Sequence, residues 1–334
     1  MSHNNIEEIA NYIVAEGKGI LAADESNATC EKRFDSIGVE STESNRRDYR
    51  EMLFRSRGMK GNIGGVILFD ETIRQSAADG TLLIELILSQ GALPGIKVDK
   101  GLQLIENSRI ETVTVGLDGL DERLKEYALL GAKFTKWRAV IKIGEGIPTQ
   151  GCIDLNMEAL ADYARCAQEN GMVPIVEPEV LMDGKHSIDE CLEVTEQTLK
   201  SLFFFLKKNN VNLKGVLLKP NMISSGTECN DQAGIDEVAK KTLDSLLRNV
   251  PAELPGITFL SGGQPDVLAT QHLDAMNKLG GFPWKLTFSY GRALQASALK
   301  AWGGDPENTS HSQEVFSHRA EMNKLAALGK WHEE

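Results

Sequence analysis

Residues 215–219 read Gly-Val-Leu-Leu-Lys, an apolar run that ends on a charge. Seven other short runs are built in a similar way: Gly19–Asp24 (GILAAD), Gly65–Phe69 (GVILF), Gly95–Asp99 (GIKVD), Phe134–Ile141 (FTKWRAVI), Val173–Glu177 (VPIVE), Ile257–Leu260 (ITFL) and Leu286–Ser289 (LTFS). Most are nearly continuous in apolar residues, as strands buried on both faces of a parallel sheet are. Helical patterns fill the intervals at Met157–Gln168, Ile188–Lys207, Ile235–Leu247 and Val267–Lys278, with stops such as Asn170-Gly171 and Gly280-Gly281. The repeat from Asp24 to Ser289 averages about 38 residues, which suits a (β/α)₈ TIM barrel with some long loops. A doubly wound sheet would announce a glycine-rich phosphate fingerprint after its first strand. Gly17-Lys18-Gly19 precedes that strand, and the barrel is the better reading.

Working outward, Ile6, Ile9, Ala10, Ile13 and Val14 fall at helical spacing and predict an extra N-terminal helix. The expected organisation is one barrel domain over residues 1–334, with a further C-terminal helix and a short tail at 331–334. No linker or low-complexity tract divides the chain.

Composition narrows the function. The chain has 334 residues, 36 Lys plus Arg against 48 Asp plus Glu, and a formal charge of −12. That balance argues against a nucleic-acid partner, which needs a basic surface. No apolar run reaches the roughly 18–20 residues of a membrane span, and the N-terminus lacks a secretory or transit signal. The five cysteines (Cys30, Cys152, Cys166, Cys191, Cys229) form no CxxC pair and read as reduced core residues of a cytoplasmic protein.

In a barrel the chemistry sits at the C-terminal ends of the strands. Those ends carry Asp24, Lys97, Lys136 with Arg138, Glu177 with Glu179, Lys219, Ser261-Gly262-Gly263, and Gly291-Arg292. One charged strand end fits a structural ion pair; a charge or glycine turn at nearly every end is poorly explained as scaffolding. Lys219 follows Val216-Leu217-Leu218 and precedes Pro220, so a rigid apolar strand holds it. Burial, or a second cation such as Lys136, disfavours an ammonium and frees an amine able to attack a carbonyl. Read alone, Lys219 fits a structural pair with Glu177 or Glu179 at least as well.

Ser261-Gly262-Gly263 and Gly291-Arg292 match the phosphate cradle that barrel enzymes build after their last two strands. Lys32 and Arg33 form a second basic cluster shortly after the first strand. Alone it reads as a solvated helix face; with the first it suggests a phosphate at each end of the substrate. Asp24 and Glu177, among lysines, are expected to hold differing pKa values and divide acid and base work. Glu177 and Glu179 are expected on opposite faces of their strand, which speaks against a glycosidase pair. His3, His186, His272, His311, His318 and His332 show no metal-ligand spacing, and neither metal nor cofactor is expected.

The segments Gly17–Ser26 (GKGILAADES), Gly64–Phe69 (GGVILF), Gly95–Lys100 (GIKVDK), Lys136-Trp137-Arg138, Ile175–Glu179 (IVEPE), Leu217–Met222 (LLKPNM), Gly256–Gln264 (GITFLSGGQ) and Thr287–Gly304 (TFSYGRALQASALKAWGG) resemble class I fructose-bisphosphate aldolase, in order, from about residue 6 to 330. The resemblance implies a (β/α)₈ lyase, usually a homotetramer, acting on a phosphorylated sugar in glycolysis and gluconeogenesis. It implies Lys219 as the Schiff-base lysine, Glu177 as general acid and base, and Asp24 as an aid to C3–C4 cleavage. Lys136 would position substrate and tune Lys219, while Lys97, Arg138 and Glu179 complete the polar shell. Ser261, Gly262, Gly291 and Arg292 would bind the 1-phosphate, and Ser26 and Thr29, near Lys32 and Arg33, the far phosphate. Residues 27–30 read Asn-Ala-Thr-Cys where animal members have a glycine and a serine; Thr29 keeps the hydroxyl. Many members end in a tyrosine that helps protonate the enamine. Residues 330–334 read Lys-Trp-His-Glu-Glu instead, and Glu177, Lys136 and His332 are the expected substitutes.

Overall fold

The computed structural model describes residues 5–106 and 108–333. Residues 1–4 (His3 among them), Asn107 and Glu334, and so the extremes of the expected 1–334 unit and of its tail, lie outside the described residues. The strands are β1 (Gly19–Ala23), β2 (Ile63–Leu68), β3 (Leu93–Lys97), β4 (Leu102–Leu104), β5 (Thr112–Thr114), β6 (Phe134–Ile141), β7 (Val173–Val180), β8 (Leu217–Leu218), β9 (Gly256–Phe259) and β10 (Lys285–Tyr290). All but β4 and β5 close into a parallel barrel in the order β1-β10-β9-β8-β7-β6-β3-β2. Its eight strands are the eight apolar runs. β4 and β5 pair antiparallel outside the barrel, and the exposed Leu102 and Leu104 of β4 carry no core-facing pattern from which to read it.

The barrel interior is sealed at the N-terminal end of its strands. Phe134 and Phe288 fill it, and glycines make room for the rings. A Cβ on Gly95 would stand 2.3 Å from Phe134, and one on Gly19 2.4 Å from Phe288. The expected N-terminal helix, Ile6–Ile13, then covers that end. Its Ile9, Ala10 and Ile13 pack on Ile20, Phe134, Val173 and Leu217. Each isoleucine buried in this way contributes about 1.5–3 kcal/mol. Asn5 caps the helix by accepting the Glu7 N–H.

Two boundaries moved for physical reasons. The helix expected from Met157 begins at Gln150, because Thr149 caps it by accepting the Cys152 N–H. Asn156, polar in sequence, is buried there and bonded to β5: it accepts from the Thr114 N–H (3.2 Å) and donates to the Thr112 carbonyl (2.8 Å). β8 is shorter than its run because residues 213–215 form a 3₁₀ turn. Lys219 still continues the ladder, its N–H donating to the Val176 carbonyl at 2.8 Å.

The expected C-terminal helix is Thr309–Ala327. Beyond it Trp331 is buried, its N–H donating to Asp274 and its carbonyl accepting from Lys278 Nζ at 3.1 Å. Both partners lie in the last turns of the helix Asp266–Leu279, which returns from the top of β9 toward the sealed end. Cys30, Cys152 and Cys191 are buried; Cys166 and Cys229, expected in the core, are only half-buried at its margin. Among the described residues no helix is long and apolar enough to cross a membrane.

Candidate active site

With one end sealed, the strands open at the other into a cavity of about 540 Å³. Asp24, Ser26, Thr29, Lys32, Arg33, Lys97, Lys136, Arg138, Glu177, Glu179, Lys219, Ser261, Gly262, Gly291 and Arg292 all line it. Seven lysines and arginines face five carboxylates there, a positive excess in a chain of formal charge −12. Such a site favours an anionic ligand.

Glu177 forms the centre. Its Oε1 stands 3.1 Å from Lys219 Nζ, and its Oε2 stands 3.2 Å from Lys136 Nζ. Lys136 also reaches Asp24 at 2.7 Å. Asp24 arrives from β1 and Glu177 from β7, on opposite sides of the ring, and both close on one ammonium. Lys136, Glu177 and Lys219 are buried. The expected second cation is therefore present, with a carboxylate between it and Lys219.

Burial would raise both carboxyls, but the charges of Lys136 and Lys219 more than offset it, and Asp24 and Glu177 are held below the usual carboxylate range. Burial would lower Lys136, yet Asp24 and Glu177 hold its ammonium above the ordinary lysine value. This differs from the expected division into one acidic and one basic carboxyl. The surrounding lysines shift both in the same direction, and Lys136 keeps its proton.

The expectation that Glu177 and Glu179 face apart is overturned. Side chains alternate along a strand, so residues two apart share a face, and both line the cavity. What separates their roles is partnering. Glu179, opposite Val140 in the register, is tied diagonally to Arg138 of β6, while Glu177 holds the lysines. Lys97 pairs with Asp99 at 2.7 Å.

The other wall is built from backbone. Gly262 and Gly263 take φ of +58° and +98°, which side chains rarely tolerate. A Cβ on Gly263 would stand 3.0 Å from Arg292 Nη2, so the guanidinium lies against this turn. Arg292 opens the helix Arg292–Trp302, whose N-terminal amides add to the attraction for an anion. Among the described residues no carboxylate pairs with Arg292. Ser26 caps the helix Asn27–Asp35, accepting the Thr29 N–H at 3.4 Å and lying 3.0 Å from the Thr29 hydroxyl. Arg33 pairs with Glu25. Because β1 and β10 are neighbours, Arg33 Nη2 comes within 3.8 Å of the Cβ position at Gly291, and the two basic clusters adjoin.

Sequence reasoning missed Glu25, Asp99 and Ser289, which also line the cavity. Asp99 had a usable signal, standing two residues after Lys97 and so on the same edge. Ser289 sat within a run taken as apolar. His332 is misplaced as a candidate acid. It follows Trp331 at the sealed end and does not line the cavity. Among the described residues no group of three or more His, Cys, Asp or Glu is arranged to hold a metal ion.

The profile described as fructose-bisphosphate aldolase class-I matches residues 5–334. The chain belongs to the class I fructose-bisphosphate aldolase family. It is a lyase of the metal-independent class. Among its aldolase relatives, one from Xanthomonas axonopodis, named "Probable fructose-bisphosphate aldolase class 1", is 54% identical over 99% of both chains. Fructose-bisphosphate aldolase 1 of Toxoplasma gondii is 51% identical over 98% of this chain and 90% of its own. A solved aldolase from Plasmodium falciparum, in complex with TRAP and a small molecule inhibitor, superposes with a TM-score of 0.97 at 48% identity, covering 98% of this chain and 95% of that one. The aldolase barrel is thus the fold of this chain.

Proposed function

We propose that this aldolase cleaves fructose 1,6-bisphosphate through an imine on Lys219. The observation that carries the reading is the buried Lys219 Nζ with Glu177 Oε1 at 3.1 Å, at the foot of a cavity that also holds the Arg292 cradle. A proton leaving Lys219 has Glu177 to receive it. The amine attacks the C2 ketone of the open-chain sugar. Glu177 returns that proton as hydroxide leaves the carbinolamine, giving water and an iminium. The iminium withdraws the C3–C4 bonding pair while the proton of the C4 hydroxyl passes to a carboxylate, with Asp24 in that role. Glyceraldehyde 3-phosphate leaves. The enamine takes a proton at C3, and water hydrolyses the imine to dihydroxyacetone phosphate and free Lys219. Lys136 keeps its charge and orients Asp24, Glu177 and the sugar hydroxyls.

Arg292, Gly291, Ser261 and Gly262 fit the 1-phosphate. Ser26, Thr29, Lys32 and Arg33 serve the other, with Lys97, Arg138 and Glu179 between. The resemblance supports a cytoplasmic homotetramer in glycolysis and gluconeogenesis. An Arabidopsis thaliana relative named as cytosolic, 51% identical, agrees with that compartment; light scattering of the purified protein tests the tetramer.

The deciding experiment is borohydride reduction in the presence of dihydroxyacetone phosphate, followed by peptide mapping. One triose phosphate per chain on Lys219 is expected. Label on Lys136 or Lys97 would overturn the assignment.

A further inference from the structure

We infer that Asn221 is a positioning residue for the imine-forming pair, a reading that rests on Lys219 as the covalent residue. The argument comes from the ladder between β7 and β8. Ile175 pairs with Leu217 and Val176 with Leu218, and the Lys219 N–H then donates to the Val176 carbonyl at 2.8 Å. Beyond that bond the ladder loses a backbone donor. Edges alternate along a strand, so Val176, Pro178 and Val180 turn the same edge toward β8, while Pro220, next after Lys219, turns its own edge away from β7 and toward β9. Pro178 has no N–H to offer the Lys219 carbonyl. The gap falls beside Glu177 and Lys219, where a 3.1 Å separation has to be kept.

Asn221 bridges the gap. Its Oδ1 accepts the Val180 N–H at 3.0 Å, the bond a backbone carbonyl would otherwise supply. Its Nδ2 donates to the Met222 carbonyl and to Thr195 Oγ1, both at 3.2 Å. Thr195 belongs to the helix Ile188–Lys208 behind β7, so the amide is held from two directions. Asn221 and Val180 are both buried. On the far side, the Pro220 carbonyl accepts the Leu260 N–H at 3.1 Å, tying the same turn to the strand that leads into Ser261. The segment after Lys219 is thereby fixed to both neighbouring walls. Among the described residues none of the hydrogen bonds of the Asn221 side chain goes to a residue lining the cavity, and it acts through the place it gives Lys219 relative to Glu177.

The test compares Asn221→Asp, which keeps an acceptor for Val180, with Asn221→Leu, which keeps the approximate shape and removes it. Steady-state cleavage of fructose 1,6-bisphosphate and the rate of borohydride-trapped imine are measured per trapped lysine, with thermal midpoints alongside. Asn221→Leu is expected to lower kcat and the trapping rate at least tenfold with KM within twofold. Asn221→Asp should stay within about fivefold of the parent. An unchanged kcat per trapped lysine in Asn221→Leu overturns the inference, as does a loss confined to KM. Should Asn221→Leu fail to fold, Thr195→Val decides, since it releases one side of the amide in a chain of nearly equal shape. A two- to fivefold fall in kcat with KM unchanged is expected, and no fall overturns the inference. If the parent protein itself takes no label on Lys219, the failure lies in the imine reading and not in the role of Asn221.

Discussion

The two walls of the cavity solve opposite problems. The Lys136–Glu177–Lys219–Asp24 wall is buried, and its charges are already compensated among themselves. The Gly262–Gly263–Arg292 wall is backbone and one guanidinium with no carboxylate partner among the described residues. A charge taken out of water needs a partner in the resting protein. A charge meant for substrate must be left for substrate. The first wall is built for reaction and the second for recognition, and the same barrel face accommodates both because different strands carry them.

The sharpest way to break this contrast is Lys219→Arg. A guanidinium cannot lose its proton to form an imine, so cleavage should vanish in a coupled assay while the ion pair to Glu177 persists and the thermal midpoint changes little. Measurable turnover in that variant would move the chemistry off this wall. Next in size is Glu177→Gln. Removing a proton carrier of this kind costs about a hundred- to ten-thousandfold, and the loss should appear in kcat and in imine trapping, with KM nearly unchanged.

Arg292→Ala probes the other wall. A charge-assisted contact to phosphate contributes about 1.5–3 kcal/mol, so KM should rise about ten- to a hundredfold for fructose 1,6-bisphosphate and for fructose 1-phosphate alike. Stability should hold, because no internal partner is orphaned. An effect on the bisphosphate alone would assign Arg292 to the distal phosphate.

The smallest effect concerns the support behind that wall. His272 is buried, lies 2.7 Å from Gln264 at the end of the glycine turn, and is lowered by burial to about 4. Its neutral form is the folded form. As pH falls from about 6.5, the unfolded chain gains a proton that the folded chain refuses until about 4, so stability declines across that window. From pH 6.5 to 5.5 the decline is about 1 kcal/mol. Urea midpoints of the parent and of His272→Asn should show the steeper acid decline only in the parent; parallel curves would remove His272 from this account.

The fold was legible because its eight strands are buried on both faces and read as short, nearly continuous apolar runs. β4 and β5 were not, since their three-residue strands lie outside the barrel and Leu102 and Leu104 are exposed. In the site, residues at strand ends could be found from spacing alone. Glu25 could not: its role shows only when Arg33, eight residues later and near the end of the helix Asn27–Asp35, folds back onto it. The ionisation of Asp24 and Glu177 was likewise out of reach, because it depends on lysines from β6 and β8 converging in space.

Closure of the ring through β1 and β10 has a consequence during synthesis. β1 ends at Ala23 and its second neighbour begins only at Lys285. At ribosomal speeds of about 5–20 residues per second, the first strand waits on the order of ten seconds or longer with one edge unpaired. The nascent chain holds Asp24 and Arg33 long before Gly291 and Arg292 emerge to meet them. Phosphate recognition is thus among the last properties this polypeptide acquires as it leaves the ribosome.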